Sequence, residues 1–274
     1  MKREQTSLLT VAAVLTLLVF AILWVIPVYL MIRLSISNPT DILTQHPDFL
    51  SARLFSGHWT NLFASGQIWP SLRKSLTVAA LTAFLSLLIG VPGAYGLSRF
   101  RGNVAHGILI GIFFTRMFPE VGVALPISVD FIRRGLFDTD VGLVLAHLIR
   151  VLPISAWILV GTFKTIPRDL EEAAFVDGAS KMRTLTRVVL PLAKPGIGVA
   201  LIFAFLGSWD EFIYATYLCL THKTLPLMVY YYVDRGGWFL SSAYATVITI
   251  PVVLVTYALQ RYIRSGYLRG AVKG

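Results

Sequence analysis

Five charged residues lie inside otherwise apolar stretches, and they are the first candidates for chemistry: Arg116, Glu120, Arg150, Asp210 and Glu211. A charge in apolar surroundings is costly unless it faces a cavity or a partner. Carboxylates accept hydrogen bonds from hydroxyl groups and guanidinium groups donate them, so this set could bind a polar solute. Trp209 and Tyr214 flank the acidic pair, and such rings can stack on the C–H face of a sugar or polyol.

The sequence contains no other arrangement typical of catalysis. It has no GxxxxGK[ST] loop that could bind ATP, no metal-ligand spacing, and no acid, base and nucleophile set near one another. Its single cysteine, Cys219, rules out an intramolecular disulfide. We therefore expect a chain that is not an enzyme and binds no cofactor itself.

The composition is that of a membrane protein. Of 274 residues, 56% are hydrophobic and 14% charged, whereas soluble proteins carry roughly 25% charged residues. A bilayer-spanning helix needs about 20 apolar residues. The sequence thus predicts an all-α integral membrane protein with a single domain over 1–274. Six spans are expected, at about 8–32, 76–98, 104–127, 141–163, 195–218 and 239–260.

The distribution of basic residues predicts the orientation. With both termini in the cytoplasm, the inner segments hold 14 Lys and Arg residues in 59 positions, and the outer segments hold 8 in 79. Cytoplasmic loops of membrane proteins are enriched in these residues. The net charge of +10 therefore indicates membrane topology and lipid surroundings, with no nucleic-acid partner.

Helix geometry places the five charges at similar depths. At about 1.5 Å per residue, Arg116 and Arg150 fall near the middle of the membrane, and the acids lie slightly further out. Arg116 and Glu120 would share one face of a continuous helix. Two interpretations remain open: an internal salt-bridge network, or a solute passage in which Asp210 faces the solute and Glu211 pairs with an Arg.

The charge balance bears on the solute. Three acids outnumber two cations, which favours a neutral, hydroxyl-rich solute over an anionic phosphate. His147 is expected to be a hydrogen-bonded packing residue rather than a ligand.

The cytoplasmic segment 164–194 predicts two short helices joined at a glycine. Its acidic first residues favour a helix start. Gly178 suits a left-handed helix end. Ser180 can cap a second helix, which Pro191 and Pro195 are expected to end.

This segment resembles the EAA loop of ABC importer permeases through the spacing of Glu172-Ala173-Ala174, Gly178, Val188 and Leu190-Pro191. Other stretches are similar to the carbohydrate branch of that family, the maltose-type second permease subunits: Ala94–Phe100, Gly135–Thr139, Ser208–Phe212 and Gly270–Gly274. Asp210 stands where that branch has Asn.

The resemblance implies a type I ABC importer permease fold in the bacterial inner membrane. It implies import of a sugar, polyol or related solute, including glycerol or glycerol phosphate. The implied partners are a homologous second permease, two ATP-binding subunits that hold ATP and Mg, and an extracytoplasmic solute-binding protein. The residues implied in ATPase coupling are Glu172, Ala173, Ala174, Asp177, Gly178 and Pro191.

Other classes of membrane protein remain as alternatives. An ion-coupled secondary carrier or a gated channel would also have several spans, but it would need no loop that docks on a partner. An integral membrane enzyme would need reactive groups that converge near one interface, and the sequence contains none.

Overall fold

The computed structural model describes residues 2–47, 53–100 and 104–270. Within these ranges, side chains are described from residue 10 to residue 258. Every regular element in these ranges is helical. The helices are α1 (Lys2–Ser35), α2 (Pro39–Ile42), α3 (Gly57–Ala64), α4 (Ile68–Arg99), α5 (Val104–Phe114), α6 (Glu120–Arg133), α7 (Asp140–Lys164), α8 (Asp169–Val176), α9 (Lys181–Thr184), α10 (Leu190–Trp209), α11 (Ile213–Leu218), α12 (Leu225–Asp234) and α13 (Trp238–Gly270).

The described chain divides into two compact units. The first is drawn from residues 1–68 and 228–249, and the second from residues 69–227 and 250–274. In the first unit, residues 10–29 of α1 are all exposed although they are strongly apolar. A helix that is apolar all round belongs in lipid or against another apolar surface.

The first unit is held together around His58. Its ring stacks on Phe239 with 5.1 Å between centroids and meets the edge of Phe55 at 4.9 Å. Its Nε2 lies 2.9 Å from the carbonyl oxygen of Ser37. Stacking and a hydrogen bond therefore join three segments that are distant in sequence.

In the second unit, α7 is the central helix. Thr139 caps its start by accepting a hydrogen bond from the amide of Gly142 at 3.0 Å. More than half of the residues in the apolar 18-residue stretch of α7 are buried. The helix α10 packs along it, and Gly196 lies so close to Thr162 that a Cβ on the glycine would clash with that side chain. Close contact here depends on the missing side chain.

The structure confirms the all-helical membrane fold. Five helices in the described residues are long and apolar enough to span a bilayer: Thr10–Ser35, Ile68–Arg99, Asp140–Lys164, Lys181–Trp209 and Trp238–Ala258. The pair Val104–Met117 and Glu120–Arg133 gives a sixth span if its two parts are counted together.

The span predicted at 104–127 is not one continuous helix, because this pair bends by 87°. A short 3-10 turn follows α5, and Phe118 is extended with ψ 136° before Pro119, which immediately precedes α6. Proline disfavours helical geometry in the preceding residue and has no amide hydrogen to donate, which explains the break.

The predicted span 195–218 differs from the structure at both ends. Its helix runs unbroken from Lys181 to Trp209, so Pro191 and Pro195 do not end the helix that Ser180 caps. A π-helical turn at Leu185–Val189 precedes Pro191 and changes the backbone hydrogen-bond pattern of the helix there. The helix therefore tolerates proline, which has no amide hydrogen to donate. The helix then ends at Trp209, and α11 is a separate short helix.

Candidate translocation site and coupling loop

The end of α10 is organised by the side chain of Glu211. One carboxylate oxygen accepts a hydrogen bond from the amide of Tyr214 at 2.7 Å, and the other accepts one from the amide of Ala215 at 3.1 Å. These amides lie in the first turn of α11, where no intrahelical partner exists. Glu211 therefore caps α11 and fixes the chain after the break.

The same carboxylate pairs with His147, not with Arg116 or Arg150 as predicted. The Nε2 atom of His147 lies 2.9 Å from Oε2 of Glu211, and both side chains are at most 1% exposed. The other ring nitrogen, Nδ1, lies 2.6 Å from Oγ of Ser208. The expectation that His147 is a hydrogen-bonded packing residue agrees with this arrangement.

Asp210, the neighbouring acid, lies in a different environment. Its side chain is 65% exposed, and its Oδ1 lies 3.8 Å from Nη2 of Arg150. The same guanidinium lies 3.5 Å from Oε2 of Glu120. Both distances exceed those of a close charge-assisted hydrogen bond, so the three charges are loosely held and face the surface of this chain.

Arg116 contacts the same region through a hydrogen bond to the backbone. Its Nη1 donates a hydrogen bond to the carbonyl oxygen of Arg150 at 2.6 Å. Arg116 lies in the 3-10 turn and Glu120 begins α6, so the prediction that they share one face of a continuous helix is wrong. The 87° bend, rather than helical periodicity, places both beside Arg150.

A small pocket opens where these residues meet. Its volume is about 20 Å³, and its lining consists of Thr115, Arg116, Phe118, Glu120, Val123, Ile149, Arg150 and Tyr214. Tyr214 is 2% exposed. This space is large enough for a single water molecule and far too small for a sugar, so this chain by itself encloses no solute site here.

Trp209 does not line that pocket. It is 1% exposed and stacks on Phe205 with 5.7 Å between ring centroids. The prediction that it stacks on a solute is therefore corrected: its ring is covered by this chain. Of the predicted passage residues, the structure brings together Arg116, Glu120, Arg150, Asp210 and Tyr214, and assigns Glu211 and Trp209 to the interior.

The segment 164–194 has the shape that its sequence predicts at its start. The helix α8 ends near Gly178, whose φ is +78°, a conformation that strains other residues. Ser180 then caps α9 by accepting a hydrogen bond from the amide of Arg183. Glu172, Ala173 and Asp177 are exposed and Ala174 is half-buried.

Two exposed apolar side chains accompany these residues at the end of α8. Val176 is 88% exposed, and Phe175 is 41% exposed. The polar and apolar groups together form a surface that this chain leaves uncovered.

Glu171, which immediately precedes the exposed acid, is buried and anchors α8. It forms an ion pair with Arg99 at the end of α4 and accepts a hydrogen bond from the hydroxyl of Tyr95 at 2.7 Å. Arg168 adds a hydrogen bond to the carbonyl oxygen of Arg99 at 2.9 Å. The loop is thereby fixed to the end of a membrane span.

Comparison with known proteins identifies the family. Residues 84–269 match the family described as binding-protein-dependent transport system inner membrane component. The chain belongs to this family. It is accordingly a multi-pass permease of the bacterial inner membrane and a non-catalytic member of an ABC transport system.

Individual relatives of this permease agree with the assignment. It is 32% identical to the trehalose/maltose transport system permease protein MalG of Thermococcus litoralis, over 74% of this chain and 75% of that one. It is 28% identical to the diacetylchitobiose uptake system permease protein DasC of Streptomyces coelicolor, over 91% and 92% of the two chains.

A solved structure shows the same fold. A chain of a bacterial ABC transporter involved in the import of the acidic polysaccharide alginate aligns with a TM-score of 0.76 and 23% identity, over 93% of this chain and 96% of that one. At this level of identity the likeness establishes the fold of the permease.

The sequence did not reveal how three residues position α8 and the break after Trp209. Tyr95 and Arg99 belong to the Ala94–Phe100 segment noted above, but their role emerges only when α4 and α8 meet. His147 was recognised as a packing residue without its partner. A buried histidine and an acid within apolar stretches are the signal that could have paired it with Glu211.

Proposed function

We propose that this permease passes a hydroxyl-rich solute, such as a sugar or polyol, by way of the charged surface formed by Arg116, Glu120, Arg150 and Asp210. The observation that carries the proposal is the grouping of half-exposed charges at the breaks of two spans. Charges in a membrane protein that face outwards from their own chain line a polar path or meet a partner.

The small volume of the pocket at these charges supports a second permease as the partner. A space of about 20 Å³ becomes a solute path only when another surface completes it. A homologous second permease would supply that surface, and alternating access would arise between the two subunits. The exposed apolar face of α1 would then lie in lipid or against the partner.

The names of the relatives support the solute class. Trehalose, maltose and diacetylchitobiose are neutral and rich in hydroxyl groups, and they appear in the names of the relatives described above. In this permease Arg150 lies between two acids and Arg116 donates to a carbonyl oxygen. Two cations beside two acids suit a neutral solute such as glycerol better than an anion such as glycerol phosphate.

Energy would reach this path through the cytoplasmic loop. Glu172, Ala173, Ala174, Asp177 and Gly178 would contact an ATP-binding subunit through their exposed surface, and Pro191 would lie where the loop enters the span. ATP and Mg would be held by two such subunits and not by this chain. The buried anchor through Glu171 would pass movements of the loop to α4.

The proposed orientation places the loop and both termini in the cytoplasm and leaves the opposite side to a solute-binding protein. It is supported by the asymmetry of basic residues, 14 inside against 8 outside. A reporter fused after Gly274 should behave as cytoplasmic. Activity of a periplasmic reporter at that position would contradict the orientation.

The solute path is tested by uptake into proteoliposomes that contain the complete importer. Asp210→Asn retains shape and hydrogen-bonding capacity but removes a charge, so it should change solute affinity or selectivity while the complex still assembles. Asp234→Asn is a matched control, because Asp234 is 57% exposed and lies 3.7 Å from Arg235. Equal solute selectivity in both variants and the parent would contradict the path.

The same vesicles separate the importer from an ion-coupled carrier or a channel. Uptake by the importer requires ATP at the cytoplasmic side and persists when ionophores collapse ion gradients. Uptake that needs a gradient and no ATP would favour the alternative.

A further inference from the structure

A second, larger pocket lies in the second unit, away from the charges near mid-membrane. Its volume is about 500 Å³, and it is lined by Trp69, Pro70, Arg73, Lys74, Asp138, Asp140, Thr221 and His222. Small-molecule sites typically have volumes of about 300–1,000 Å³. The lining residues all belong to segments that the predicted topology places outside the membrane.

The floor of this pocket is built from buried and fixed groups. Lys74 is 7% exposed, and its Nζ lies 3.9 Å from Oδ1 of Asp138 and 3.8 Å from Oδ1 of Asp140. At these distances neither carboxylate makes a close hydrogen bond to the ammonium group, which has three donors. A buried cation of this kind can donate to an oxygen that enters the pocket.

Asp138 holds the pocket wall in place. It has a left-handed φ of 57°, and it accepts hydrogen bonds from the amide of Leu220 at 2.8 Å and from the hydroxyl and amide of Thr221. Burial opposes its charge, but these hydrogen bonds and Lys74 outweigh burial and lower the pKa of Asp138 below its ordinary value. The carboxylate therefore stays charged and bound to the wall.

The rim offers complementary groups to a ligand. Trp69 is 61% exposed and presents an apolar ring, while the side chain of Asp140 is 49% exposed and can accept hydrogen bonds. We propose that this pocket is an outer subsite that takes one ring of a neutral saccharide. The ring would lie on Trp69, with hydroxyl groups bonded to Asp140 and Lys74.

This assignment rests on the proposed function, because it assumes that a hydroxyl-rich solute approaches from the side where the pocket opens. A saccharide suits the pocket better than an ion does, since the lining contains two cations, Arg73 and Lys74, and two carboxylates, so these charges balance. A sugar ring is apolar on its C–H face and polar at its edge. An aromatic ring can contact the apolar face, while neighbouring donors and acceptors bind the hydroxyl groups at the edge.

The test uses the complete importer in nanodiscs without its solute-binding protein. Diazirine-bearing trehalose and diacetylchitobiose serve as photoactivatable probes, and labelled peptides are mapped by mass spectrometry. We expect labelling of the segment around residues 69–74, and unmodified sugar should compete. Trp69→Ala should raise the competing concentration about five- to tenfold, in the range of aromatic contributions, and Asp140→Asn should also raise it.

Trp238→Ala is the matched control, since Trp238 is 57% exposed and lies outside the pocket; it should leave labelling unchanged. Absence of labelling around residues 69–74 with both probes, or equal competition in Trp69→Ala and the parent, overturns the subsite. If Trp69→Ala instead raises only the concentration of solute-binding protein that half-saturates ATP hydrolysis, the pocket docks protein and the assignment is wrong.

Uptake by the same preparations distinguishes the two proposals. Sugar uptake with no labelling of the pocket removes the subsite and leaves the proposed function standing. Failure of every tested sugar and polyol to be taken up removes the proposed function as well.

Discussion

Two pairs of adjacent acids, one in α8 and one at the end of α10, are divided in the same way. Glu171 and Glu211 are buried and bonded to partners within the chain, whereas Glu172 and Asp210 are exposed. Within each pair a single residue step separates a side chain that holds the fold from one that faces outwards. Burial and partner distance therefore distinguish the two roles where residue type does not.

The pairs differ in what their buried members fix. Glu171 joins α8 to α4 through Arg99 and Tyr95, so it sets the position of a loop. Glu211 joins α11 to α7 through His147, so it sets the geometry of a break inside the membrane portion. Loss of the second should be more damaging, because the side chain of Glu211 is 0% exposed and that of Glu171 is 9% exposed, so water can replace the lost partner less readily at Glu211.

The largest effect is therefore expected for Glu211→Gln. The change removes the charge that pairs with His147 and weakens the cap of α11; breaking a buried pair by altering one partner costs about 3–5 kcal/mol. The yield of complex extracted in detergent should fall strongly, while Asp210→Asn, the adjacent exposed acid, should leave it near the parent level. Equal yields of the two variants would contradict the division of roles.

A smaller loss is expected for Glu171→Gln. The glutamine can still accept from Tyr95 but no longer forms an ion pair with Arg99, and a hydrogen bond to a charged group contributes about 1.5–3 kcal/mol. Thermal unfolding of the purified complex should occur at a lower temperature, and Glu172→Gln is the control that should not change it. If Glu172→Gln is the more destabilising of the two, the anchor has been assigned to the wrong acid.

The smallest effect concerns Asp138, which lies between α6 and α7. Asparagine tolerates its left-handed backbone, and the ion pair with Lys74 spans 3.9 Å, so Asp138→Asn should cost up to about 1 kcal/mol at pH 7. Folding lowers the pKa of Asp138 below its ordinary value of 3.8. The charged carboxylate therefore stabilises the folded state at pH values above 3.8.

That contribution is lost as the pH falls through the lower folded-state pKa. Unfolding temperatures of parent and variant should therefore differ at neutral pH and converge below about pH 3.8. A difference that grows on acidification would reverse the sign of the proposed contribution.

Much of the fold could be predicted from hydropathy, because a bilayer requires about 20 apolar residues for each span. Helices that are long and apolar enough to span a bilayer cover most of the first, second, fourth and last predicted stretches. The breaks after Met117 and Trp209 were missed, since hydropathy measures the apolar character of a stretch and not its continuity. Pro119 was a visible signal for the first break, whereas the second depends on Glu211 capping α11.

The candidate site was predictable in composition but not in arrangement. Arg150, Glu120 and Asp210 do meet, although the helical spacing used to group Arg116 with Glu120 does not exist. The sequence marked His147 and Glu211 as polar residues within apolar stretches, but which acid the histidine meets depends on how α7 packs against the break after Trp209. Burial of Trp209 likewise depends on tertiary packing against Phe205.

The central claim is that exposed Glu172 couples the permease to ATP hydrolysis. It is tested most directly by measuring how strongly the solute-binding protein stimulates ATPase activity in reconstituted complexes of the parent and Glu172→Lys. The charge is reversed at the start of a helix on an exposed surface, where it should leave assembly intact. We predict normal complex yield with strongly reduced stimulation. Full stimulation in an assembled Glu172→Lys complex would contradict the account.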